Sequence, residues 1–519
     1  MELVLIFIFT GLLPASLVPD WPLSPDDEEV YETVEDSLKE LARHKVAIPT
    51  QYRLRWRLKS DSLPGGQKRL GSFLSLILNQ KNRSANLILE KDPKESNWAD
   101  FCGGGVMLRE HNFRIIIGDY ILHFGRGMIF AGPYARSGFS DIEDLITGSV
   151  FPRSAQENRN LRGIRIDYAQ NRFAFSIAGS YSRRDARLDS SGSVSQLIFS
   201  GLHRDSSELL TKGQVGQLLS GATARIRLHP IFVTGLTVCG VRFNRSFAPQ
   251  ESIYSFYGQY LGQAGIYLTI GRLQRGGEIE IARSIPGGLA GSARVNVREG
   301  GLNLVLSGSV YGDRFFAPAG RRYSLTKRLN RTEMTGDAGY EWLGFWVRLR
   351  GNTYYDYLTD SVPGRLSLSA GYQVSSVGIS ITTGRKFRFE FERSRETRLE
   401  FNLQREVFQL LIYIGDEYLE SGGAGGKLVG MNLKLKLHQA ELGISAAACD
   451  IEGIGISLGV TEPGVMRSGT SYSFSKSGQR MSIAAGIRIG KVGRLDVKTG
   501  LTHAQRWETD FGLQIELAN

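Results

Sequence analysis

The chain has 519 residues, 41% hydrophobic content, 62 glycines, 15 prolines and a formal net charge of +11. These figures exclude a disordered or collagenous chain and a small disulfide-stapled fold. The mean hydropathy of -0.17, with no 18-residue apolar run after the first twenty residues, excludes an ordinary helical membrane protein. One membrane class survives, because a β-barrel hides its apolar residues in alternate positions and reads as soluble on average.

Met1 to Val18 is an apolar stretch too short to span comfortably, followed at once by Pro19, Asp20 and Pro22. It reads as a secretory signal peptide over 1–18 with cleavage near Ala15 or Ser16, although Glu2 stands where a basic residue is expected. Residues 19–50 hold the one convincing helix pattern. Ser24 can cap it, Pro25 suits the first turn, Asp26 to Glu29 favour its positive end, and Val30, Val34, Leu38 and Leu41 form one stripe. This segment is expected to be a periplasmic helix or plug. Cys102, Cys239 and Cys449 are far apart and odd in number, which indicates neither a disulfide framework nor a metal site.

From Gln51 the apolar period changes from 3.6 to 2. Tyr52, Leu54, Trp56 and Leu58 alternate with Arg53, Arg55, Arg57 and Lys59, so the two faces need different environments. The pattern recurs in Phe387, Phe389 and Phe391 against Arg388 and Glu390, in Leu399, Phe401 and Leu403, in Leu433, Leu435 and Leu437, and in Phe511 to Leu517. Alternation and glycine breaks predict an all-β fold: a large transmembrane antiparallel barrel of about 26 strands, range 22 to 28, over residues 51–519 with a short N-terminal helix. The candidates include separate strands starting near 253 and 263, near 376 and 385, and near 451 and 469. Leu188 to Gly221 is expected as a loop, and turns are expected at Ala169 to Arg172, Arg275 to Gly277 and Glu299 to Gly301. Arginines such as Arg225, Arg227, Arg348 and Arg350 are then expected to face inward, because a charged side chain in the bilayer middle costs roughly 2 to 4 kcal/mol. Inward Glu278, Glu280, Glu390, Glu392 and Glu400 are expected to pair with them across neighbouring strands.

One segment departs from plain alternation, running from Phe113 through Gly118-Asp119-Tyr120 and His123 to Phe124-Gly125-Arg126-Gly127. Gly118, Gly125 and Gly127 are conformational residues that relieve a bulge or let an inner segment approach the wall. Asp119, His123 and Arg126 are candidates to line a lumen or gate it, with Arg53, Arg55, Arg57, Arg388 and Glu390. No nucleophile, base and oxyanion donor come together, so no catalytic residue, metal or cofactor is assigned. This GDY…FGRG pattern resembles that of large outer-membrane barrels of Bacteroidetes-like bacteria, which often carry helix-hairpin-helix repeats ahead of the barrel. Such repeats are not recognisable here. The resemblance implies a barrel in the cell outer membrane and supplies no substrate.

The leading expectation is a gated or plugged channel for passage or export of a solute or polymer, whose basic surplus favours anions. The alternative is a non-transporting structural or adhesive surface barrel, with DNA uptake or binding a weaker third reading. The expected partners are outer-membrane lipid, the barrel assembly machinery and a periplasmic or cell-surface protein. Nucleic acid is not among them, because the arginines follow strand alternation and no recognition module is present.

Overall fold

The computed structural model describes residues 51–518 apart from 63–67, 81, 93–99, 132–149, 153–159, 199–200, 202, 204, 249–255, 273, 313, 321–330, 357–363, 389–391, 421–423, 454–457, 464–468, 490–492 and 503–506. The expected signal peptide and the helix or plug over 19–50 lie outside these residues.

Strands β1 (Gln51–Ser62), β2 (Lys68–Gln80), β3 (Arg83–Lys91), β4 (Phe101–Glu110), β5 (Phe113–Tyr120), β6 (Leu161–Gln170) and β7 (Phe173–Arg184) pair in sequence, all antiparallel. After β7 come a small hairpin of β8 (Ala186–Leu188) and β9 (Val194–Leu197) and the single-turn helix α1 (Ser206–Leu209). The ladder resumes with β10 (Val215–His229), which pairs with β7. It continues through β11 (Phe232–Phe247), β12 (Gly258–Arg272), β13 (Arg275–Ile285), β14 (Leu289–Glu299), β15 (Leu302–Tyr311) and β16 (Arg331–Trp342). Next are β17 (Phe345–Asp356), β18 (Gly364–Val374), β19 (Val377–Arg388), β20 (Glu392–Gln404), β21 (Phe408–Leu419), β22 (Gly425–Lys436) and β23 (Ala440–Glu452). The hairpin of β24 (Leu458–Pro463) and β25 (Gly469–Phe474) is a separate two-stranded sheet, and β23 pairs instead with β26 (Gly478–Ile489). Then follow β27 (Gly493–Thr502) and β28 (Trp507–Ala518), which pairs with β1 from Ser62↔Trp507 to Gln51↔Ala518.

This topology corrects the expectation of one transmembrane barrel of about 26 strands with a short N-terminal helix. The principal sheet has 26 strands, but β8 and β9 join it only through the Val194–Phe247 bridge to β11, leaving 24 in the continuous ladder. Residues 51–519 are therefore not a single barrel wall. The candidates near 253 and 263 are one strand, β12, and those near 376 and 385 are one strand, β19. The candidate near 451 is the end of β23, and the one near 469 is β25, outside the ladder. Within 188–221 the chain forms β9, α1 and the first part of β10 rather than a loop. The turn expected at 275–277 comes earlier, since β12 runs to Arg272 and β13 starts at Arg275.

Alternate connections are short: β6 to β7, β10 to β11, β14 to β15, β16 to β17 and β18 to β19 are each joined by two residues. Asn171, Leu343 and Ser375 take positive φ of 49°, 49° and 51° there, the conformation that tight hairpins require. In an antiparallel ladder these turns share one end with Gln51 and Ala518, and the longer connections lie at the opposite end. The two faces differ as the alternation requires. One carries half-exposed apolar residues strand after strand, including Ile117, Ile164, Ile177, Leu236, Ile266 and Ile281, and it continues through Leu306, Val347, Ile379 and Ile414, all 50% or more exposed. The other carries buried Arg114, Asp167, Thr223, Glu278, Glu280 and Ser292.

Candidate functional site: an inner segment on the polar face

β5 ends at Tyr120, which is fully buried and donates its hydroxyl to the Gly179 carbonyl at 3.0 Å. The chain then leaves the ladder and lies along the polar face of β10 to β15. Leu122, Phe124, Met128, Ile129 and Phe130 are buried there. The direction reverses in a tight turn closed by Gly127 N–H to Phe124 C=O at 3.0 Å and Phe124 N–H to Phe130 C=O at 3.1 Å. Gly125 and Gly127 make the turn possible with φ of 56° and 82°, a region that costs other residues roughly 1–2 kcal/mol.

Arg126, at the tip, fixes the segment to the wall. Its Nη1 lies 3.0 Å from Glu278 Oε2, its Nη2 donates to Ser307 at 2.8 Å and its Nε to Ser292 at 3.4 Å. The Glu280 carboxylate on the next inward position of β13 accepts the backbone N–H groups of Arg126 at 2.5 Å and Met128 at 3.2 Å. The two glutamates thus hold the side chain and the backbone of one turn. The strand glycines supply clearance: a Cβ on Gly221 would collide with the Phe130 ring, and one on Gly265 would press on Ile129. Phe124 packs edge-on to Tyr267 with centroids 4.9 Å apart, and the Arg225 guanidinium stands 6.0 Å from its ring centre. A second strap, 314–320, backs the segment through Ala131 N–H to Ala319 C=O at 2.7 Å. Ser284 on β13 holds that strap by accepting from Phe316 N–H at 3.1 Å and donating to Arg314 C=O at 3.1 Å.

A second inner element sits on β21 to β26. Leu458 and Phe474 of the β24–β25 hairpin pack with Tyr413, Leu428, Ala447 and Cys449. Glu462 accepts from Arg480 Nε at 2.5 Å and Nη2 at 3.1 Å and from Lys498 at 2.9 Å, all three side chains being almost fully buried. Burial pushes the Glu462 carboxyl up, but the hydrogen bonds from Arg480 and Lys498 outweigh it and hold the group below its ordinary value.

On the inner face of β16 to β20 the described ion pairs are partly exposed. There Asp337, 23% exposed, lies behind Arg348 and Arg350, 44% and 59% exposed, and Glu396, 16%, lies behind Arg365, 52%. In these two groups the cation is more exposed than its carboxylate, whereas Arg398 and Glu400 of β20 are exposed alike, 33% and 35%.

The sequence-derived candidates fall in different places. Arg53, Arg55 and Arg57 are half-buried on β1, opposite Ile77, Ser75 and Phe73 of β2 and Glu516, Gln514 and Gly512 of β28. Asp119 is buried in a two-point ion pair with Arg162, at 2.6 and 2.9 Å, and also accepts Gly104 N–H at 3.0 Å. His123 is half-buried beside Gly127, and Gly118 takes a φ of 103° where the β4–β5 pairing ends at Gly105. Arg388 closes β19 opposite Glu392; its side chain and Glu390 lie outside the described residues. Glu278 faces Arg294 across the β13–β14 register and also holds Arg126 of the inner segment, Glu280 holds the backbone of that segment, and Glu400 meets Arg398 of its own strand at 2.6 Å. Glu462, Arg480 and Lys498 were not singled out by the alternation, because β24 is short and the partners are 18 and 36 residues away.

No family model matches the chain, and no curated protein matches it. Solved structures do. The P pilus usher PapC translocation pore aligns with 90% of this chain and 100% of its own at 7% identity and a TM-score of 0.42. The PapC-PapD-PapK-PapG tip assembly intermediate of E. coli aligns with 90% of this chain and 61% of its own at 10% identity and 0.47. The siderophore receptor PirA of Acinetobacter baumannii aligns with 91% of this chain and 81% of its own at 9% identity and 0.43. These alignments are remote, at 7% to 10% identity and TM-scores of 0.42 to 0.47. That is a coarser relation than the resemblance to helix-hairpin-helix-bearing Bacteroidetes proteins.

Proposed function

We propose that the chain is an outer-membrane-associated protein that passes hydrophilic, preferentially anionic solutes along the polar face of its sheet, with segment 121–131 narrowing the route. The observation that carries this reading is the row of half-exposed Ile, Leu and Val side chains that recurs on the same face from β5 to β21. Water-soluble monomers rarely expose a contiguous apolar patch beyond a few hundred Å², whereas lipid accepts one.

The polar face supports the rest of the reading. Arg126, Glu278 and Glu280 position a segment on part of this face, and the described charged side chains of β16 to β20 stay partly exposed. The exposed Arg348, Arg350 and Arg365 heads, with carboxylates behind them, raise the local concentration of anions. The reading assigns no catalytic step. Planar-bilayer recording with a salt gradient tests it: a reversal potential showing anion preference, reduced when Arg348 and Arg350 become Gln, is expected. Cation selectivity, or no conductance from correctly folded protein, overturns it.

A further inference from the structure

At the long-connection end of β4, β6 and β7 lies a cavity of about 560 Å³ on which the solute route makes no demand. Arg162, Arg183, Lys212 and Tyr181 line it, with Asp119, Asp100, Asp185 and His203 in its floor. The floor is layered. Asp119 and Asp100 are 2% and 3% exposed, whereas their partners Arg162 and Lys212 are 41% and 39% exposed. His203 bridges Asp100 at 2.5 Å and Asp185 at 3.0 Å, tying the 185–213 connection to the start of β4. The carboxylates orient the cations from below, and what reaches the opening is positive. Arg183 adds an exposed guanidinium that lies along Gly213. The Asn160 side-chain amide also lines the cavity, is buried, and has neither its oxygen nor its nitrogen hydrogen-bonded.

Position narrows the ligand. Tyr181 and Arg183 continue the outward row of Phe173 and Ile177 on β7, and exposed Cys102 continues that of Val106 and Leu108 on β4. The cavity therefore sits where the apolar face meets the strand ends, the level at which membrane proteins place Tyr and basic side chains against headgroups. We infer that this cavity binds a phosphate group, that of a lipid whose chains lie along Val106 and Ile177. Arg183 and Lys212 supply charge-assisted hydrogen bonds to it and Tyr181 a further donor. This rests on the membrane-associated reading above.

The test uses the full chain in detergent, titrated with phosphatidylglycerol, with a phosphate-free glycolipid and with inorganic phosphate, bound lipid being counted by native mass spectrometry. Retention of phosphatidylglycerol over the glycolipid is expected, with a loss of about 30-fold in Arg183→Gln/Lys212→Gln, since each cation near a charged membrane surface contributes about fivefold. Competition by millimolar inorganic phosphate assigns the site to the free anion and overturns the lipid assignment. Equal retention of both lipids, or retention unchanged in the double variant, overturns the site altogether. Vesicle flotation separates the two claims. A double variant that floats with vesicles but retains no lipid supports the site and leaves the membrane reading intact, whereas wild type that fails to float refutes that reading.

Discussion

Truncating Arg126 to Ala removes the one side chain that reaches Glu278, Ser292 and Ser307 together. The side chains of Arg126 and Glu278 are 2% and 8% exposed, so solvent does not screen the loss. Breaking such a pair from one side leaves Glu278 with Arg294 across the strands, which puts the cost at about 3 kcal/mol, the low end for a buried pair. At about 1.4 kcal/mol per tenfold, 3 kcal/mol shifts the docked-to-undocked ratio of segment 121–131 by on the order of a hundredfold. The ladder does not depend on this pair, since β13 and β14 are held by their own backbone register. Arg126→Ala is therefore expected to fold with the circular dichroism of wild type and to show larger or more frequent open-channel events in planar bilayers. Arg126→Lys keeps the charge without the planar fork and should fall between the two. Conductance in Arg126→Ala indistinguishable from wild type, with folding confirmed by circular dichroism, would refute the idea that the segment narrows the route.

Other consequences follow from the same geometry. Glu462→Gln leaves Arg480 and Lys498 short of a buried counter-charge and should loosen the β24–β25 hairpin by about 3–5 kcal/mol, seen as faster limited proteolysis within 453–477. Because the Glu462 carboxyl is held below its ordinary value, its stabilisation is complete above that ordinary value and is lost as pH falls through the lowered one. Proteolysis of wild type by an acid-tolerant protease should therefore accelerate below about pH 4.5, and Glu462→Gln should remove that dependence. Gly127→Ala forces a side chain into a positive-φ site and should weaken the turn by roughly 1–2 kcal/mol, raising open-channel frequency less than Arg126→Ala does. Ile279→Arg places a charge on the apolar face of β13 and should lower the stability of protein refolded in vesicles by about 2–4 kcal/mol, while Ile279→Leu should be neutral in a urea titration.

Strand alternation made the two faces legible: period 2 together with the cost of a charge in lipid puts Arg348 and Arg350 on the polar face, where both meet Asp337 of the neighbouring strand. Glycine misled the strand count. Gly262 and Gly265 lie inside β12, where Gly265 makes room for Ile129, and Gly384 lies inside β19, where it leaves space for Glu396. A glycine that provides clearance for a side chain from another element looks, in sequence, like one that ends a strand. Gly118, Gly125 and Gly127 all take positive φ, at 103°, 56° and 82°. What could not be read was the partner of Arg126, since Glu278 is 152 residues away and the pairing depends on a chain reversal that no local period encodes. The β24–β25 hairpin was hidden for a related reason, because six-residue strands off the ladder share the alternation of strands within it.

In the proposed function one face of the sheet meets lipid and the other meets water. The most direct measurement is a scan of single cysteines along β18, residues 365–373, in a background with Cys102, Cys239 and Cys449 replaced by alanine, each labelled with a fluorophore in reconstituted vesicles. Labels at Leu366, Leu368, Ala370 and Tyr372 should be quenched by lipid-borne nitroxide, and those at Arg365, Ser367, Ser369 and Gly371 by aqueous iodide. Quenching without this alternation, or aqueous quenching at both sets of positions, would contradict the account.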